Sequence, residues 1–87
     1  LGNQLTGLEI LDRQNGIYPN PVKRILYIKG QIDDIRRVRV IGLNGSVRMS
    51  QSLNGENSLD VSSLGAGLYI LVIERDQKVE FHKFIKE

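Results

Sequence analysis

His82 is the one imidazole in the chain, and no cysteine accompanies it. Any acid–His–nucleophile set, and any metal site of nitrogen and sulfur ligands, would have to be built on this single ring. Set between Glu80 and Lys83 on a strand-like stretch, it reads as a surface residue rather than as a ligand or base. Asp33 and Asp34 are the closest pair of acids, but they lie in a loop running from Gly30 to Ile35 and read as turn residues, not as paired catalytic carboxylates. The asparagine-rich turns offer oxygen ligands for Ca²⁺, yet no Asp-x-Asp-x-Asp-Gly spacing is present. Arg36, Arg37 and Arg39, with Lys23 and Arg24, make a basic cluster. Its default reading is a solvated face, and its sharper reading is a contact for an anionic surface glycan or an acidic receptor patch. Twelve basic and ten acidic residues leave only +2, and no aromatic stacking platform accompanies the charge, so nucleic acid is not expected. The chain is read as a non-enzyme without metal or cofactor.

The elements that carry these residues must come from one small domain, since the chain has 87 residues. A domain of this size buries about 60–65% of the surface that its unfolded chain exposes, for a net stability of roughly 5 kcal/mol. With no cysteine to staple it, a hydrophobic core must suffice. No apolar run approaches the roughly 20 residues of a membrane helix, and no N-terminal signal peptide is visible. The chain opens on Leu1 rather than Met and is expected to be a piece of a longer protein.

Turn chemistry recurs along the chain at Asn15-Gly16, Pro19-Asn20-Pro21, Gly30, Asp33-Asp34, Asn44-Gly45, Asn54-Gly55, Gly65-Ala66-Gly67 and Asp76-Gln77. No stretch between these points sustains a helical period for three turns. Strands are expected over 25–28, 35–43, 46–52, 58–61, 68–75 and 78–86, with shorter ones at 8–12 and through Ile17 and Tyr18. About seven short strands at this spacing define an all-β, antiparallel sandwich.

Two places fix side-chain directions. A two-residue type I′ turn at Asn44-Gly45 would set Val40 opposite Met49, Val38 opposite Gln51 and Gly42 opposite Val47. Val38, Val40, Val47 and Met49 would then share the inner face. Further on, the glycines at 65 and 67 lead into Tyr69 and a long apolar strand, the pattern of the tyrosine corner in immunoglobulin-like sandwiches. Tyr69, Leu71 and Ile73 are expected to point inward, leaving Leu68, Ile70 and Val72 outward. In the last strand Phe84 breaks the parity of Val79, Phe81 and Ile85, so a bulge near His82-Lys83 is expected to turn both rings inward. The expected core is Leu26, Ile28, Val38, Val40, Val47, Met49, Leu59, Val61, Leu64, Leu71 and Ile73.

Taken in order, these pieces resemble the C-terminal sorting domain (type A) of cargo proteins of the bacterial type IX, or Por, secretion system. The resemblance runs from about Thr6 to Lys86. It rests on Thr6-Gly7-Leu8, on Tyr18-Pro19-Asn20-Pro21 after Ile17, and on Ile25-Leu26-Tyr27-Ile28. The hairpin from Val38 to Asn44 and Gly45, the stretch from Asp60 through Gly67 to Tyr69, and the closing Lys83-Phe84-Ile85-Lys86 complete it. Gly42 stands where the family usually has a short polar residue, and Gly65 where proline is common.

The resemblance implies an immunoglobulin-like sandwich over 16–87, preceded by a leader from the cargo over 1–15. It implies export through the periplasm of a Gram-negative cell to the surface or the medium. The partners would be the type IX translocon, which recognises the folded domain, and a sortase-like peptidase that removes it and attaches the cargo to an anionic lipopolysaccharide or releases it. No membrane insertion is implied, and a monomer is expected. Leu68, Ile70, Val72, Lys83, Phe84, Ile85 and Lys86 are the expected translocon contacts, because an apolar outer stripe marks an interaction site. Cleavage is expected near Gly2, Asn3, Thr6 or Gly7. Pro19 and Pro21 cannot donate to a sheet ladder, so Tyr18-Pro19-Asn20-Pro21 reads first as a strand terminator. A carbohydrate-binding or spacer module at the end of a surface enzyme stays open as the alternative. The absence of tryptophan and the use of one of three tyrosines in the corner count against it.

Overall fold

The computed structural model describes residues 16–87 and, ahead of them, the backbone of Glu9–Ile10. The strands are β1 (Glu9–Ile10), β2 (Ile17–Tyr18), β3 (Ile25–Ile28), β4 (Ile35–Gly42), β5 (Val47–Gln51), β6 (Ser58–Asp60), β7 (Gly67–Arg75) and β8 (Val79–Lys86). One sheet has the order β1-β8-β7-β4-β5 and the other β2-β3-β6. The pairings are antiparallel except for β1, which runs parallel along β8. The chain changes sheet between β1 and β2, between β3 and β4, between β5 and β6, and between β6 and β7, while β4–β5 and β7–β8 are hairpins. This is the connectivity of an immunoglobulin-like sandwich, and no helix occurs among the described residues.

Facing residues of the two sheets fill the core: Leu26, Ile28 and Leu59 from one, Val38, Val40, Leu71 and Ile73 from the other. Ile17, Val22, Ile35, Leu53 and Phe84 join them, and Met49 and Leu64 pack at its margin. Val47 does not, being 53% exposed. The reason lies in the hairpin turn. Gly45 N–H donates to Gly42 O (2.9 Å) and Gly42 N–H to Ser46 O (2.9 Å), so the loop holds three residues. Only Gly45 has positive φ (88°), which fits a type I turn closed by a glycine bulge rather than type I′. The extra residue moves Val47 from Gly42 to Ile41, on the outer face. A second irregularity, at Arg48, restores Val40 opposite Met49 and Val38 opposite Gln51 as expected. Asn44 stabilises the turn with its side chain, accepting from the Ser46 amide (3.1 Å) and hydroxyl (2.8 Å). A Cβ on Gly42 would stand 3.2 Å from that Asn44 oxygen, so a side chain there would press on the turn's capping group.

The corner forms as expected. Tyr69 is buried, its hydroxyl donates to Gly65 O (2.8 Å), and its ring stacks on Phe84 with centroids 5.8 Å apart. The acceptor is a backbone carbonyl, so the absence of proline at 65 does not touch the bond. Gly67 enters the strand at φ 153°, a conformation that side chains disfavour. Tyr69→Phe leaves the ring in place and removes one partly buried hydrogen bond. It is expected to cost about 1 kcal/mol in urea-induced unfolding.

The last strand departs from expectation. Its pairing with β7 is continuous, with Tyr69 opposite Phe84 and Leu71 opposite His82, so no bulge forms near His82-Lys83. His82, Phe84 and Lys86 therefore face inward, and Val79, Phe81 and Ile85 face outward. His82 is a core residue at 2% exposure, not a surface one. Lys86 lays its stem inward and donates from Nζ to Glu87 O (2.9 Å). Val72 lies on the outer face as expected, but it is fully buried between its cross-strand partners Arg39 and Phe81. The expected leader and cleavage positions lie outside the described residues, Glu9–Ile10 excepted.

Candidate functional site

The last strand is held on both sides. On one, β7 pairs with it from Val79 to Lys86. On the other, β1 pairs Glu9 with Glu80 and Ile10 with Phe81. Further along, Asn20 and Val22 take over that edge. Ile85 N–H donates to Asn20 Oδ1 (2.9 Å), and Asn20 Nδ2 donates to Lys83 O (3.3 Å). Val22 N–H donates to Ile85 O (2.8 Å), and Glu87 N–H to Val22 O (2.9 Å). Tyr18-Pro19-Asn20-Pro21, with cis bonds before both prolines, thus ends β2 and lies along the end of the chain.

Cross-strand register then assembles the outer face of the large sheet. One row runs Val47, Ile41, Ile70 and Lys83, and beside it Leu68 lies opposite Ile85. Leu68 and Ile85 are 40% and 48% exposed, and Ile70 is half-buried. The next row runs Ser50, Arg39, Val72 and Phe81. An apolar surface of several side chains therefore lies at the corner end of the sheet, where sequence reasoning placed Leu68, Ile70 and Ile85; Ile41, outward by the parity of its strand, belongs to it, and Val47, expected inward, joins it. The signal for Val47 lay in the turn type, which decides the face on which it falls. Of the seven expected contact residues, Leu68, Ile70, Lys83 and Ile85 present surface, whereas Val72, Phe84 and Lys86 are buried.

Most of the basic cluster is engaged by other side chains. Arg36 pairs with Asp76 (3.5 Å), and Lys23 lies 3.9 Å from Glu87. Arg37 donates to Ser50 Oγ (3.0 Å). Arg39 Nε sits 2.8 Å from Glu74 Oε2, attracted by its charge though off the line of a hydrogen bond. Asp33 accepts from Gln31 (2.8 Å) while Asp34 turns to Arg75, so the two acids serve separate partners.

An ionic cluster that sequence reasoning missed closes the opposite end of the sandwich. Arg75 donates to Asp34 Oδ1 (2.6 Å), Gln31 O (2.7 Å) and Glu80 Oε2 (3.1 Å). Glu80 also meets Lys78 Nζ (3.2 Å) and His82 Nε2 (3.3 Å). Burial pushes the Glu80 carboxyl up, but His82, Lys78 and Arg75 together outweigh it and hold its pKa below the ordinary value of 4.5. Gly16 packs against the His82 ring so closely that a Cβ would fall 2.3 Å from its Cε1. A polar cleft of about 340 Å³ opens here, lined by this cluster and by Lys29. Elsewhere, Asp60 accepts from the Ser62 amide (2.9 Å), and bonding to Ser62 holds its pKa below the usual range.

Among the described residues, no three His, Cys, Asp or Glu side chains are grouped to hold a metal. Tyr18 and Tyr27, the aromatic pair that a sugar-binding platform would need, stack on each other with centroids 5.3 Å apart and planes at 21°. Their facing surfaces are thus covered. What the sandwich offers is an apolar outer face beside its last strand, the kind of patch that marks an interaction site.

The chain belongs to the family described as secretion system C-terminal sorting domain, whose profile matches residues 16–87. No curated protein matches it. The family is a sorting signal, not a catalytic one, of type IX secretion in Gram-negative bacteria. It implies interaction with the type IX machinery and export to the cell surface or extracellular medium.

Proposed function

We propose that this domain is read by the type IX translocon as a folded surface, through Leu68, Ile70, Lys83 and Ile85. A sortase-like peptidase then cuts within the leader at 1–15 and attaches the cargo to an anionic lipopolysaccharide or releases it. The domain performs no chemistry of its own. The observation that carries this reading is the apolar surface running across Val47, Ile41, Ile70, Leu68 and Ile85, which the core does not account for. Val72, Phe84 and Lys86 support the fold beneath it.

The test separates surface from stability. Leu68→Thr, Ile70→Thr and Ile85→Thr combined in one chain replace apolar outer side chains by a residue that suits a strand. Fused behind a periplasmic reporter in a cell with a type IX translocon, the parent chain carries the reporter to the surface. The triple variant is expected to stay folded, losing about 1–2 kcal/mol at most, and to reduce surface display by about tenfold or more. Undiminished display by the triple variant would remove the outer face as the contact.

A further inference from the structure

The backbone groups along the free side of a terminal strand are a ready template for a partner's strand. In this chain they are already taken. Lys83 O, Ile85 N–H, Ile85 O and Glu87 N–H bond to Asn20 and Val22, and the earlier part of the strand pairs with β1. Pro19 and Pro21 have no N–H to contribute, so the main chain around Asn20 cannot continue a ladder. The Asn20 side chain fills that place, because its planar amide carries one acceptor and a donor, as a peptide unit does. Asn20 is itself exposed, so burial does not explain its position.

We infer that Asn20 is the positioning residue that closes the outer edge of the last strand, so that a partner reads this strand by the outward side chains Lys83 and Ile85 and not by adding a strand to it. The closure also fixes where those side chains stand, since the residues flanking Phe84 are the ones that Asn20 grips. The half of this inference that concerns recognition rests on the sorting function proposed above.

Amide hydrogen exchange of the 87-residue chain tests the clamp without any partner. In Asn20→Ala, exchange at Ile85 is expected to quicken by about five- to tenfold, the equivalent of one hydrogen bond, while Leu71 and Ile73 keep their protection. Asn20→Asp retains the acceptor and is expected to recover part of the Ile85 protection. Display of the reporter is then compared with that of Tyr69→Phe, which weakens the fold but leaves the edge closed. Loss of display in Asn20→Ala, with display kept in Tyr69→Phe, separates positioning from stability. Unchanged exchange at Ile85 overturns the clamp. Faster exchange with undiminished display overturns its role in recognition. If the parent chain itself is not displayed, the sorting function and the recognition role both fall, and the exchange result still decides the clamp.

Discussion

Phe84→Ala is expected to unfold the domain. Phe84 is fully buried, lies opposite Tyr69 in the β7–β8 ladder and stacks on its ring. Truncating a core phenylalanine costs about 3–5 kcal/mol, against a total of roughly 5 kcal/mol for a domain of this size. Urea titration followed by near-ultraviolet circular dichroism should show no cooperative transition, or one beginning in the absence of denaturant. A variant that unfolds cooperatively within about 1 kcal/mol of the parent would contradict the inward placement of Phe84. Deleting residues 83–87 has the same consequence on a larger scale, since it removes Phe84, the end of the β7–β8 ladder and the partners of Asn20 and Val22. A secretion defect in that truncation would therefore report lost folding. This is why the outer-face substitutions and Asn20, rather than the terminal deletion, test recognition.

Glu80→Gln should produce the second large effect, and one that depends on pH. The carboxylate receives Arg75, Lys78 and His82 at 3.1–3.3 Å and is mostly buried. Its neutral replacement leaves the 9%-exposed Arg75 side chain with Asp34 as its remaining carboxylate partner. The expected loss at neutral pH is about 2 kcal/mol, below the figure for a wholly buried pair because the cluster touches solvent. The sign follows from the lowered pKa of Glu80. A carboxyl that ionises more readily folded than unfolded adds stability above its unfolded pKa, and that stability is lost as pH falls through the folded value. The gap between parent and variant should thus be full at pH 7 and should narrow below about pH 4. Parallel urea titrations at pH 7, 5 and 3 measure it. A gap of the same size at pH 3 would show that packing, not charge, holds the cluster.

The sequence by itself carried the fold class, the family and the inward direction of β7. Those follow from local chemistry: turn residues at regular spacing, glycines where the corner needs them, and the corner's Tyr69, which sets the parity of Leu71 and Ile73 within a wholly apolar run. It also carried most of the core, including Leu26, Ile28, Val38, Val40 and Leu59. The direction of β8 was decided elsewhere. Its two parities are both amphipathic, Val79, Phe81 and Ile85 against His82 and Phe84, and hydrophobicity alone cannot rank them. Pairing with β7 sets Phe84 opposite Tyr69, and the whole strand turns with it, because one residue of register exchanges the two faces. Val47 moved outward for the same reason, since Asn44-Gly45 suits more than one turn and the loop length sets the register. Neither the Arg75–Glu80–His82 cluster nor the grip of Asn20 on Ile85 could be read along the chain. Arg75 and Asp34 stand 41 residues apart and Asn20 and Ile85 stand 65 apart, and only the packed sandwich brings them together.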